Sequence, residues 1–210
     1  MRVEQTPFQQ FLNGLEEQLR KMSFRNQLAF AASCCERAFP NYVAFNERQH
    51  WRDAAVLRLG IDEAWKIICG AKVEESRIRE LEARCKVVTP RSDDFPDEDV
   101  TAAQEATFMA TLLLQFCLDP KPNYAIRIAT FSRDTIDLYV QTQQSLDPSD
   151  PHLEEKIASH PLMESELGKE KADLAALKTM RSTEELCNFK LRAVAINTSN
   201  IGIKNTIPAN

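Results

Sequence analysis

The order of apolar and polar positions along the chain predicts a succession of helices. Leu28, Ala31, Ala32, Cys35, Ala38 and Phe39 recur at steps of three and four, so the stretch from Ser23 reads as a largely buried helix that Pro40 stops or bends. Ahead of it, Thr6 can cap, Pro7 takes the first helical position and Gln9 reaches back as in a capping box, which starts a helix over about residues 7–22. Residues 41–50 read as a short helix or turn. Ala54, Leu57, Ile61, Ala64, Trp65 and Ile68 then form a third stripe ending at Gly70, with Gly60 inside it either as a point of close approach or as a slight break.

Residues 74–85 carry the narrower stripe Ile78, Leu81 and Cys85 among many charges, the pattern of an outer helix. Pro90, Pro96 and the acids Asp93, Asp94, Asp97, Glu98 and Asp99 mark residues 87–99 as the longest loop, placed where carboxylates favour the start of the next helix. That helix, over residues 101–118, is apolar nearly all round, with Phe108, Met109, Leu112, Leu113, Leu114, Phe116 and Cys117, and is expected at the centre. Pro120 and Pro122 break the chain. Ala125, Ile128, Ala129, Ile136, Tyr139 and Val140 define a further amphipathic helix, with Arg133 and Asp137 paired on its wet side. After a linker-like stretch over 145–151, a short helix holds Leu153 and Ile157, and a long one holds Met163, Leu167, Leu174 and Leu177. Ser182 and Glu185 fit a capping box for a last helix to about Ala195, and residues 197–210 are extended in character. The expected fold is therefore all-α: a single-domain multi-helix bundle over residues 1–203, with a central apolar helix, an extended C-terminal tail and a polar extension over 204–210.

Composition removes several kinds of chemistry. Five glycines in 210 residues, none closer than ten apart, leave no place for a glycine-rich phosphate cradle. Twenty-six Lys and Arg against 31 Asp and Glu leave a net charge of -5, and neither half is basic, so no nucleic acid partner is expected. The most apolar run, 106–118, is interrupted by Thr107, Thr111 and Gln115, and the amino terminus has no apolar leader core, so the expectation is a cytoplasmic protein with no membrane partner. Six cysteines without a CxxC, and three histidines without HxxxH, supply no recognisable zinc ligand set; neither a metal nor a cofactor is expected, and all six thiols are expected to be free.

Several segments together resemble the YjaG-like proteins, a bacterial family of unassigned function. They are ERAFPNYVAF at 36–45, the Trp65 helix, SDDF at 92–95, EEKIASHPLMESE at 154–166 and SNIGI at 199–203, which succeed one another in the family's order from about residue 8 to 203. The resemblance implies a small, mostly helical cytoplasmic protein and carries no activity with it.

The motif residues admit two readings. Structurally, Glu36 and Arg37 end a buried helix that Pro40 terminates, Asn41 caps the next segment, and SNIGI is a tail docked in a groove by Ile201 and Ile203. Functionally, Glu36, Arg37, Asn41, Tyr42 and Asn200 would meet Asp93 and Asp94 in a polar cleft suited to enzyme acid/base work, a small ligand or a divalent ion. Helix ends use these residue types routinely, so no catalytic residue is assigned. The expectation is a noncatalytic interaction or regulatory protein. Its apolar stripes exceed what one inner layer needs, which points to a homodimer.

Overall fold

The computed structural model describes residues 7–95, 100–196, 198–204 and 206. Among them are nine α-helices: α1 (Pro7–Arg20), α2 (Phe24–Gln49), α3 (Ala55–Ile68), α4 (Glu75–Val88), α5 (Val100–Leu118), α6 (Asn123–Gln143), α7 (Leu153–Ala158), α8 (Pro161–Thr179) and α9 (Thr183–Val194). The bundle is all-α, as the apolar stripes predict. The proposed Thr6 cap and the acids Asp97, Glu98 and Asp99 lie outside the described residues.

Helix α5 is the axis of the bundle, packed against α2, α3, α4 and α6. Leu113, Leu114, Phe116, Met109 and Ala110 are fully buried on it, because near-continuous apolarity leaves no face that gains from water. Phe108 departs from this pattern and is 39% exposed at the rim. Gly60 of α3 is a point of close approach: a Cβ there would lie 3.1 Å from Leu114 Cδ1 and 3.5 Å from Cys85 Sγ. The three helices α3, α4 and α5 meet at that position.

Of the stop or bend expected at Pro40, the stop does not occur. Helix α2 runs through it for 26 residues to Gln49, ending at His50 in the left-handed conformation (φ 47°). Pro40 forfeits the amide bond to the Glu36 carbonyl, a cost of about 3 kcal/mol in an exposed helix interior. Burial of nearly every residue from Asn26 to Val43 outweighs that loss, and Asn41 is an interior helical residue instead of a cap. Residues 41–50 are simply the last turns of α2.

Two further expectations are corrected. Arg133 is buried on α6 instead of pairing with Asp137 on its wet side. Cys69, at the end of α3, is disulfide-bonded to Cys187 of α9 with Cα atoms 5.4 Å apart, while Cys34, Cys35, Cys85 and Cys117 are free. Serial spacing could not reveal a pair separated by 118 positions.

The Ser182 and Glu185 capping box is formed in both directions. Beyond α9 the chain makes a tight turn: the Ser199 amide donates to the Ile203 carbonyl at 2.7 Å, and Gly202 supplies the left-handed residue (φ 88°). Ile201 plugs a smaller apolar cluster with Ile136, Val140, Ile157, Met163 and Leu167 from α6, α7 and α8. SNIGI is thus a docked turn, more compact than the extended tail expected for it.

Candidate functional site

Positions 33, 37 and 41 are four residues apart, so Ser33, Arg37 and Asn41 align on one face of α2. That face meets α8, α6 and the 199–203 turn. Arg37 is fully buried, and its guanidinium is saturated with partners. Its Nε donates to both carboxylate oxygens of Glu166 at 3.0 and 2.9 Å, and Nη2 to Glu166 Oε1 at 2.9 Å. Its Nη1 donates to Asp173 Oδ2 and Ser33 Oγ, both at 2.9 Å, and Nη2 also lies 3.4 Å from Cys34 Sγ. The fork of a guanidinium is the group that can bind a carboxylate in this way while reaching a second one.

From α6, the Ser132 hydroxyl donates to Glu166 Oε1 at 2.9 Å, and Arg133 Nη1 to Glu170 Oε2 at 2.7 Å. The Asn200 side-chain amide then donates to the Ser132 carbonyl at 2.9 Å, its Oδ1 accepts from Asn41 Nδ2 at 2.9 Å, and its backbone amide donates to the Arg37 carbonyl at 2.9 Å. The SNIGI turn is therefore fastened to the same seam as the arginine.

Burial sets the proton affinities. It works against the Glu166 carboxylate, but the adjacent Arg37 charge and the hydrogen bonds from Arg37 and Ser132 outweigh it and hold the group below the usual carboxylate range. Burial dominates at Glu170 and, with the Glu166 charge, pushes it up to about 7 against the opposing pull of Arg133 and Arg37. The Cys34 thiol is driven well above its ordinary value by burial, so it is no nucleophile at neutral pH. Cys34, Glu166 and Glu170 offer donor atoms within 4.8 Å of one another, but Arg37 already engages both oxygens of Glu166 and faces Cys34. The guanidinium thus competes with any cation for Glu166 and Cys34.

Of the seven residues singled out in the sequence, Arg37, Asn41 and Asn200 come together in this seam. Glu36, one step around α2, faces the other way: Arg58 Nη1 and Nη2 donate to its two oxygens at 2.7 Å each, and the Trp65 indole donates to Oε1 at 2.8 Å. Tyr42 donates to the Val88 carbonyl at 3.1 Å, and its hydroxyl is pushed upward by burial. Asp93 and Asp94 are exposed on a 3-10 turn (Ser92–Asp94), where Asp94 borders a surface groove near Trp51. The polar cleft joining them to ERAFPNY is not formed.

Ser33, Ser132, Glu170 and Asp173 do not stand out in the sequence, Arg133 stands out only as a surface partner of Asp137, and Glu166 only as the end of a motif. A signal was present. Glu166, Glu170 and Asp173 interleave with Met163, Leu167, Leu174 and Leu177 at helical spacing, which puts acids on or beside the buried stripe of α8.

A helical bundle closed around an internal arginine–carboxylate cluster is what the fold and site together define. The chain belongs to the DUF416 family, described as proteins of unknown function, whose pattern matches residues 14–204. It is similar to the uncharacterized protein YjaG of Escherichia coli K12, 26% identical over 150 residues, covering 70% of this chain and 74% of that protein. YjaG of Salmonella typhimurium is 25% identical over 158 residues, covering 73% and 76%. A crystal structure of a DUF416 family protein from Shewanella baltica OS155 has the same fold, with a TM-score of 0.82 at 23% identity, over 90% of this chain and 97% of that one.

Proposed function

We propose that this chain is a noncatalytic helical interaction protein that pairs with a second copy of itself in the cytoplasm. The observation that carries the reading is a groove of about 580 Å³ between the 3-10 turn, the end of α4 and α5, where Val87 is 62% and Phe108 39% exposed beside the half-buried Trp51. Large apolar side chains gathered at one groove favour a partner surface over water. Arg52, Lys86, Arg91 and Asp94 border the groove, which gives its apolar centre the polar rim of a partner surface. The noncatalytic part is supported by closure of the polar cluster: Arg37 and Glu166 are 0% and 1% exposed, out of reach of a substrate. The four cysteines that remain thiols favour cytoplasmic residence, while the Cys69–Cys187 bond counts the other way.

Sedimentation across micromolar concentrations tests the reading. The expected species has twice the 23.9 kDa chain mass, and the double variant V87E/F108E sediments as a folded monomer with an unchanged helical spectrum. A wild-type monomer at every concentration overturns the association, and a variant that still pairs overturns the face.

A further inference from the structure

The buried cluster contains two guanidinium groups, Arg37 and Arg133, and three carboxylates, Glu166, Asp173 and Glu170. Glu166 accepts from Arg37 and Ser132, and Asp173 Oδ2 accepts from Arg37 and from Ser33 at 2.8 Å. Asp173 is also 19% exposed and can reach water. Glu170 is different. Its Oε2 accepts from Arg133, but its Oε1 is buried with no hydrogen-bond partner, and its side chain is 0% exposed. With every carboxylate ionised, three anions face two buried guanidinium groups, Lys169 acting on Glu166 from a half-buried position, and the orphaned oxygen belongs to the carboxylate most fully cut off from solvent.

An unpaired charge in such a place is so costly that the group takes up a proton instead. We propose that Glu170 is a pH-sensitive latch: protonated, it closes the seam between α2, α6 and α8, and ionised, it loosens that seam together with the seat of the 199–203 turn. The mechanical link is one residue long. Arg133, which holds Glu170, comes directly after Ser132, whose hydroxyl holds Glu166 and whose carbonyl holds Asn200.

The groups facing Glu170 are Arg133 from α6, Arg37 and Cys34 from α2, and Glu166 on its own helix. The charged residues of α7, Glu154, Glu155 and Lys156, are exposed. Burial leads the upward displacement to about 7, with Glu166 adding to it and the two arginines opposing it. An unfolded glutamate titrates near about 4.3, so the folded chain binds this proton more tightly than the unfolded one. The stability it contributes is complete below the unfolded value and is lost as pH rises through about 7. The latch closes in acid and slackens in base, whichever way the chain associates.

Carbon-13 NMR of the glutamate carboxyls, on wild-type protein and on E170Q and E105Q, tests the proposal. Glu105 is included because burial also raises it to about 7, so it must be told apart. Two glutamates are expected to titrate near neutrality, one vanishing in each variant. The amide signals of Asn200 and Ile201 should shift with the midpoint that E170Q abolishes and E105Q keeps. The urea midpoint should fall between about pH 5 and 8 more steeply in E105Q than in E170Q. The proposal is overturned if E105Q retains no glutamate titrating above about pH 6, if the amide shifts survive in E170Q, or if E170Q keeps the full slope. If E170Q does not fold, the carboxyl and amide titrations of E105Q decide alone.

Discussion

Replacing Arg37 by Met removes the charge while keeping most of the stem volume, which isolates the electrostatic role. Wild-type Glu166 receives three contacts from the guanidinium at 2.9 to 3.0 Å, and Asp173 receives one. In R37M, Glu166 keeps only Ser132 while remaining sealed from water. Removing one partner of a buried, hydrogen-bonded pair costs about 3 to 5 kcal/mol, against about 0.5 to 1 kcal/mol for an arginine at an exposed helix end. In a domain of this size that corresponds to a fall of roughly 10 °C in Tm. Urea unfolding tracked by circular dichroism measures it. The loss should shrink in acid, because Glu166 freed of Arg37 rises in pKa and can be neutralised by a proton. The double variant R37M/E166L should recover much of the stability, with a coupling of about 2 to 3 kcal/mol, since an apolar pair of similar volume often substitutes for a buried ion pair without loss. A loss below about 1 kcal/mol in R37M would refute the reasoning, and so would strictly additive effects in the double variant.

Pro40→Ala restores the amide that α2 lacks, so the variant should gain about 1 kcal/mol after loss of the buried ring is subtracted; a loss of about 2 kcal/mol or more in the same urea assay would mean that the helix needs its proline. Gly60→Val pushes branched atoms into Leu114 and Cys85 and should cost about 2 kcal/mol, whereas Gly60→Ala stays near neutral because its helix propensity offsets the 3.1 Å contact; equal effects from the two substitutions would contradict that picture. Counting thiols in denatured, unreduced protein purified with thiols blocked should find four, rising to six after reduction, and six at the outset would show Cys69 and Cys187 unpaired.

Most helices were legible because each has an apolar stripe of its own, and α5 announced its central place by being apolar almost all round. Pro40 escapes the local rule for proline because the stability of α2 is tertiary, the helix being buried on nearly every side. The candidate site was legible in part. Arg37, Asn41 and Asn200 stood out as polar residues inside or beside apolar patterns, but their partners lie far along the chain, and no short-range pattern says which acid on α8 meets which cation on α2. Glu36 shows the same gap: its need for a partner arises from its place beside a buried stripe, yet Arg58, 22 residues on, became visible only through packing.

The seam also orders events in time. Arg37 leaves the ribosome well before its carboxylate partners, which lie 129 and 136 residues further on, and Asn41 waits 159 residues for Asn200. Until those segments emerge, α2 carries a cation and an amide on a face otherwise suited to burial, so a nascent chain ending before α8 has every reason to stay open. An all-helical protein would ordinarily be expected to fold from local contacts and to fold fast. Here closure waits for residues more than a hundred positions downstream, so folding is held back until Asn200 has emerged, and chains cut short of Asn200 should be taken by proteases in preference to chains that include it.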